Sequence, residues 1–343
     1  MSTRERAWAL FDRIVDTAPL RDVNPWRRDD DGGAEFEPDY DTLRRLLGVP
    51  ALLQANSQSG VPALALDVWV AYELRRAGFD PDRVWPRAVG PRVLPREVLD
   101  FVRALPSKLR RDLEDRISVK GVGGATSANI LGKNYVKQVD VVMSSWATGP
   151  ELMISTKRMD SSFGKNAANR VEESYGDAKN LRSRHPQAAL GFLYALGASA
   201  LETEPDIARW LVDLLGKLGR EADAYDSVGL IIPYVPSAPD ATSDEEPAGP
   251  LEAGVSEVPL ADPEEAVTAD DADLAALPLV ELQRGAVPKE LDPGRFFATM
   301  CNLVLDRTPI NFHQEAEPAE GLRPAEVGVT GALPAGGRSC SSV

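Results

Sequence analysis

The stretch QVDVVMSSWATGPELMISTK, residues 138–157, decides the fold. Two runs rich in apolar and β-branched residues flank SSWATGP, whose Thr-Gly-Pro is a turn signal, so the simplest structure is a β-hairpin. Because side chains two residues apart in a strand share a face, Lys157 lies on one face with Ser155 and Met153. If the two strands pair, Asp140 and Lys157 lie close together at one end of a sheet.

Helical and strand patterns surround this hairpin. Apolar residues recur at helical spacing over residues 4–18 and 62–79, and the intervening DTLRRLLGVPALLQ predicts a helix with a break at Pro50. After the hairpin come a helix over 166–183, a buried strand or short apolar segment over 187–196, an amphipathic helix and another buried strand. This order predicts an α/β fold with a central mixed sheet flanked by helices.

Composition excludes several classes of protein. No run of 18 apolar residues is present, so we expect no membrane span, and the charged N-terminus carries no apolar signal core. The two cysteines, Cys301 and Cys340, argue against a disulfide scaffold, and two histidines without a cysteine pair make a zinc site improbable. We therefore expect a cytoplasmic protein.

Charge is distributed unevenly along the chain. Residues 236–343 hold 20 acidic and 6 basic residues, a net charge of −14, whereas residues 101–190 hold 15 basic and 9 acidic residues, a net charge of +6. A basic centre is compatible with a polyanionic partner, and the acidic, proline-rich tail predicts disorder. The predicted organisation is an N-terminal helical region (1–60), a core (61–235), a disordered acidic linker (236–290), a short helical segment (291–314) and a disordered tail (315–343).

A carboxylate beside a lysine can hold a divalent metal and orient a water, which are the functions that phosphodiester hydrolysis requires. The pattern of Asp140 followed by an x-x-Lys tripeptide on the next strand resembles the signature of the PD-(D/E)xK nucleases. The following SSFGKNAANRVEESYGD resembles the helix after that motif in several type II restriction endonucleases. The resemblance covers roughly residues 60–235 and departs from the pattern at Val139, where proline is usual, and at Ser155, where an acid is usual.

The resemblance implies a restriction-endonuclease-like core that binds Mg²⁺. Some restriction endonucleases combine Ser-x-Lys with a glutamate from the following helix, because the missing carboxylate must come from within reach of the metal. Glu151 has the right strand parity but lies about 13 Å back along the strand. Transferred to this chain, the catalytic set is Asp140, Ser155, Lys157 and one of Glu172 and Glu173, and the metal ligands are Asp140, the carbonyl of Thr156, one of those two glutamates, and Glu73.

Each of these residues has a structural alternative. Glu173 is spaced for a salt bridge to Arg170, and Glu73 is spaced to lie near Arg76 as a solvated helix residue. The following basic residues are candidates for phosphate contacts or ordinary surface charges: Lys133, Lys137, Arg158, Lys165, Arg170, Arg182 and Arg184.

The predicted function is a Mg²⁺-dependent endonuclease acting on double-stranded DNA. Cutting both strands favours a homodimer or pairs of active sites. Two alternatives stay open: a DNA-binding protein on the same fold that has lost cleavage, and an interaction protein whose hairpin is only part of a core.

Overall fold

The structure is a computed structural model, and it describes residues 2–28, 33–56, 59–117, 128–161, 163–235 and 269–316. In chain order the described helices are α1 (Thr3–Asp16), α2 (Tyr40–Leu52), α3 (Val61–Arg76), α4 (Arg96–Ala104), α5 (Ser107–Ile117), α6 (Phe163–Arg182), α7 (Ser199–Thr203), α8 (Pro205–Leu218), α9 (Asp271–Ala275) and α10 (Pro293–Arg307). The described strands are β1 (Trp26–Arg28), β2 (Ala34–Phe36), β3 (Val84–Trp85), β4 (Ala128–Leu131), β5 (Val136–Val139), β6 (Val141–Ser145), β7 (Gly149–Met159), β8 (Ala189–Leu196), β9 (Ser227–Ile231), β10 (Pro233–Tyr234) and β11 (Glu281–Leu282). Of the helices in these ranges, none is both long and apolar enough to cross a membrane.

A five-stranded sheet forms the centre of the fold, with strand order β3-β6-β7-β8-β9. β6 is antiparallel to both β3 and β7, whereas β7, β8 and β9 run parallel. In the expected hairpin, Val141 lies opposite Ile154 and Val142 lies opposite Met153. The prediction of an α/β chain around a mixed central sheet is therefore confirmed.

Helices cover both faces of this sheet. On the face that we call the α3 face, Ile154 of β7 packs with side chains of α1, α2, α3 and α10. On the opposite face, the α6 face, Met153 of β7 packs with side chains of α6 and α8. β8 has parallel neighbours on both sides and helices on both faces, so every residue of its sequence ALGFLYAL is buried.

The N-terminal helices belong to the core of the α3 face. Phe11 of α1 and Leu46 of α2 are buried in one cluster with Trp69 of α3. α2 continues through Pro50, so the predicted break at this residue is wrong. Pro50 lies in the last turn of the helix, where the missing N–H costs one hydrogen bond while the helix keeps its buried face.

The C-terminal part of the chain returns to the sheet. Residues 236–268 of the predicted linker and 317–343 of the predicted tail lie outside the described residues. The remainder of the linker contains α9 and β11, and β11 pairs with β10, so the expectation of disorder through residue 290 is wrong there. The predicted helical segment is present as α10. Its Phe297 stacks on Phe36 at 5.2 Å between ring centroids and meets Trp69 edge-on.

Candidate functional site

Asp140 stands where one strand ends and the next begins, because β5 stops at Val139 and β6 starts at Val141. Its side chain is half-buried, and its Oδ2 accepts the backbone N–H of Thr156 at 2.9 Å. This hydrogen bond holds the carboxylate against β7. The interruption between β5 and β6, which the sequence pattern did not predict, places a carboxylate at the junction of two strands.

Asp67 approaches the same residue of β7 from α3. The Thr156 hydroxyl donates a hydrogen bond to Asp67 Oδ1, and Asp67 is only 7% exposed. Burial raises the pKa of the Asp67 carboxyl well above its usual 3.8, and the negative charge of Asp140 raises it further. The Thr156 hydrogen bond and the positive charges of Arg4 and Lys157 offset only part of this increase. Thr156, predicted as a metal ligand through its carbonyl, thus bonds both carboxyls through its N–H and its hydroxyl.

Lys157 follows Thr156 on β7 and completes this group. Its side chain is half-buried, and its charge acts on Asp67. Residues alternate along the strand, so Lys157 shares the α6 face with Met153, while Thr156 lies on the α3 face. We call Asp67, Asp140 and Lys157 the carboxylate–lysine site. It joins α3, the β5–β6 junction and β7, and its two carboxyls repel each other unless a proton or a cation lies between them.

Ser155 occupies the position at which the resemblance expects an acid. It is 7% exposed and hydrogen-bonds to the hydroxyl of Tyr225, which in turn donates to the backbone carbonyl of Ser174 in α6 at 2.9 Å. The serine therefore connects β7 to α6 inside the core of the α6 face. A longer, charged side chain at this position would meet Tyr225 in a buried environment.

Glu172 and Glu173 are both exposed on α6, but they lie on different sides of it. Residues four apart share a helix face, so Glu173 lies on the side of Asp177, which pairs with Lys137 of β5 at 2.6 Å. Glu172 is turned about 100° away from Glu173. Glu173 is therefore the glutamate on the side of the β5–β6 junction, and Glu172 points away from the sheet.

Glu73 lies elsewhere, which corrects its assignment to the metal. Its side chain is fully buried; Oε2 pairs with Arg76 Nη1 at 2.6 Å, and Oε1 accepts the backbone N–H of Asp39 at 2.7 Å. Burial raises the pKa of Glu73 to about 7, even though Arg76 lowers it. The helix acid that reaches β7 is Asp67. An acid in the middle of the apolar run LALDVWV was the signal that sequence reasoning passed over.

Glu151, which lies too far back along the strand to serve as a ligand, has a different partner. Its Oε2 lies 2.7 Å from Nε2 of His313, and its Oε1 accepts the Thr148 hydroxyl. Burial raises the pKa of the Glu151 carboxyl, but these hydrogen bonds outweigh burial, and the pKa lies below its usual value. The contact between Glu151 and His313 thus holds the segment after α10 against the start of β7.

The predicted phosphate-binding residues divide into two groups. Arg158 and Arg182 are held in ion pairs: the Arg158 side chain is 6% exposed beside Asp160, and Arg182 pairs with Asp226 at 2.8 Å. Both side chains are largely covered by protein and paired with an aspartate, which does not favour their prediction as phosphate contacts. Lys133 and Arg184 are exposed, Lys137 pairs with Asp177, Arg170 is half-buried, and the side chain of Lys165 lies outside the described residues.

No group of three or more acidic, histidine or cysteine side chains within the described ranges is close enough to hold a metal ion by itself. The predicted set of Asp140, Glu73 and a glutamate of α6 is thus not assembled. Compared with protein-family models, with curated proteins and with solved structures, the chain gives no match. Its function must be inferred from the residues and their placement.

Proposed function

We propose that this chain is a Mg²⁺-dependent endonuclease of the restriction type that cuts double-stranded DNA. The observation that carries the proposal is the carboxylate–lysine site, in which two carboxyls from different elements bond to Thr156 and the charge of the adjacent Lys157 acts on Asp67. A mixed central sheet flanked by helices, with the site on neighbouring strands, is the core that the resemblance to the PD-(D/E)xK nucleases implies.

The donor set fits Mg²⁺. This cation is usually held by one or two carboxylates together with waters and substrate phosphates, so a cage of three carboxylates is not required. Asp140 and Asp67 would hold it. The pKa of Asp67 is raised by burial and by the negative charge of Asp140. A divalent cation bound between the two carboxyls would offset both effects, because its charge stabilises the ionised form of each. When bound, the ion would supply charge neutralisation at the phosphate and a lowered pKa of the attacking water.

Residues of the chain itself orient the two carboxyls and the attacking water. The Thr156 N–H and hydroxyl fix the two carboxyls in position before any ligand arrives. Lys157 follows Thr156 in β7, and its ammonium group would donate a hydrogen bond to the attacking water. A protonated lysine at this position also favours the deprotonated form of that water. Glu173, on the same side of α6 as Asp177, would support the bound ion from outside the pair of carboxyls.

The rival function is a DNA-binding protein that no longer cuts. It is favoured by Ser155, because a buried serine bonded to Tyr225 replaces the acid that the motif expects. The proposed nuclease differs from this rival in one respect: Glu173 takes the role of the acid that is missing at Ser155.

The direct test is a digest of methylated and unmethylated plasmid DNA with Mg²⁺, beside parallel reactions containing Ca²⁺ or a chelator. We expect nicking or cutting by the unmodified protein with Mg²⁺ only, and none by Asp140→Asn. DNA that is bound but never cut would support the rival function. A protein that neither binds nor cuts any of these DNAs would refute the proposal.

Glu173→Gln should reduce the cleavage rate by about 10- to 100-fold, the usual cost of removing a group that supports a metal site. The matched control is Glu172→Gln, which makes the same chemical change on the neighbouring residue that points away from the sheet. Initial rates at several Mg²⁺ concentrations measure the effect. A lower apparent Mg²⁺ affinity in Glu173→Gln alone is the expected pattern.

Glu151→Gln serves as a second control, because Glu151 is bonded to His313 and Thr148. It should cut DNA at close to the unmodified rate. If Glu172→Gln is the impaired variant, or if neither glutamine on α6 alters the rate, Glu173 does not replace the missing acid.

A further inference from the structure

The charge of an arginine in the first helix acts on Asp67 of the carboxylate–lysine site. Arg4 is in the first turn of α1, and its Nη1 lies against Gly60, where an added Cβ would be 3.2 Å away. Gly60 precedes α3 in a left-handed conformation, with φ of 68°. Asp67 follows seven residues later, which is close to two helical turns, so Gly60 and Asp67 lie along one side of α3. The guanidinium group of Arg4 therefore stands on the side of α3 that carries Asp67.

The charges of Arg4 and Asp67 act on each other. Desolvation by the surrounding protein lowers the pKa of Arg4, and the charge of Asp67 raises it in part. In the opposite direction, the charge of Arg4 lowers the pKa of Asp67. The side chain nevertheless keeps solvent-exposed surface, so a ligand can reach it.

Local helix energetics do not account for an arginine at this position. The start of an α-helix carries partial positive charge, which favours acidic residues and disfavours cations in the first turn. In α1 the first-turn acid is Glu5, which forms a capping box with Ser2. Arg4 stands against this preference.

We infer that Arg4 binds a phosphate group of the DNA backbone next to the carboxylate–lysine site, so that the N-terminal helix forms part of the substrate-binding surface. This inference rests on the proposed function. A phosphate that approaches Asp67 and Asp140 meets two acidic groups, and it needs cations around it. Lys157 supplies a cation from the sheet, and Arg4 supplies one from the first turn of α1. The planar guanidinium can donate two parallel hydrogen bonds to phosphate oxygens.

The test compares Arg4→Ala with Arg6→Ala. Arg6 is exposed in the same helix and is turned about 200° from Arg4. Arg6→Ala therefore removes the same charge as Arg4→Ala, but from a different side of α1. Binding to a DNA duplex is measured in Ca²⁺ at several salt concentrations, and cleavage is measured in Mg²⁺. Thermal unfolding of both variants shows whether α1 is intact.

For Arg4→Ala we expect a 10- to 100-fold loss of binding, about the value of a hydrogen bond to a charged group, and a slope of log K against log salt that is smaller by about 1. Arg6→Ala should match the unmodified protein in both measurements. If Arg4 has only a structural role, Arg4→Ala should unfold at a lower temperature, and the slope of log K against log salt should stay the same. That result would overturn the inference.

The outcomes also separate this inference from the proposed function. If the unmodified protein cuts DNA and Arg4→Ala cuts and binds equally well, Arg4 does not contact phosphate, while the nuclease function stands. Equal losses in Arg4→Ala and Arg6→Ala would show a non-specific charge effect and would also refute it. If the unmodified protein neither binds nor cuts DNA, both proposals fail.

Discussion

Lys157→Ala is expected to slow DNA cleavage by about 10²- to 10⁴-fold, the usual contribution of a positioned proton-transfer group. Lys157 is the only residue of the carboxylate–lysine site that can donate a proton or a hydrogen bond at neutral pH without competing for the metal. Its removal also takes a positive charge from the neighbourhood of Asp67, whose pKa should rise further. Cleavage by the variant should therefore also require a higher pH.

The fold should survive this substitution, because β7 is paired with β6 on one side and with β8 on the other. Circular dichroism and duplex binding in Ca²⁺ establish that point. Lys217→Ala is the control for a lost lysine, since Lys217 is exposed on α8 and pairs with Asp213. Near-normal cleavage by a folded Lys157→Ala protein would remove the central claim of the proposed mechanism.

A chain that ends at Val235 is expected not to fold. It lacks α10, which buries Phe296, Phe297, Met300, Cys301 and Val304 in the core of the α3 face. Loss of a single large core side chain costs about 2–5 kcal/mol, and whole domains are stable by only about 5–15 kcal/mol. The removal of five such side chains exceeds what a domain can lose.

Phe297→Ala tests the same packing in the full chain. The ring is fully buried between Phe36 and Trp69, so the free energy of unfolding should fall by about 3–5 kcal/mol. Phe101→Ala is the matched control: Phe101 is 64% exposed on α4, and its loss should change the stability by less than about 0.5 kcal/mol. A cooperative unfolding transition in the fragment 1–235 would show that α10 is dispensable.

The parts of the fold that were predictable from sequence are those in which local pattern and tertiary packing agree. The hairpin and α10 carry apolar residues at the period of their own element, α3 and β8 are apolar nearly throughout, and all four are present. β4 and β11 were missed because glycine-rich or acidic neighbours give no strand pattern, and each strand forms only by pairing with a partner. α2 runs past Pro50 because its buried face outweighs one lost hydrogen bond.

The site was only partly predictable, for a related reason. The period of two in a strand is strict, so it correctly put Asp140 and Lys157 at the same end of the hairpin. The choice between Asp67 and Glu73 could not be made in this way, because α3 is buried on nearly all sides and no face is marked as facing the sheet. The ion pairs of Arg158 and Arg182 likewise depend on residues distant in sequence or on burial that composition does not reveal.

The late position of α10 in the chain has a consequence for biosynthesis. The sheet is complete when Ile231 has been made, but the helix that covers part of its α3 face ends at Arg307, 76 residues later. At about 5–20 residues per second, a ribosome needs about 4–15 s to make this interval. During that time the nascent chain exposes an apolar sheet surface, which is the kind of surface that chaperones bind.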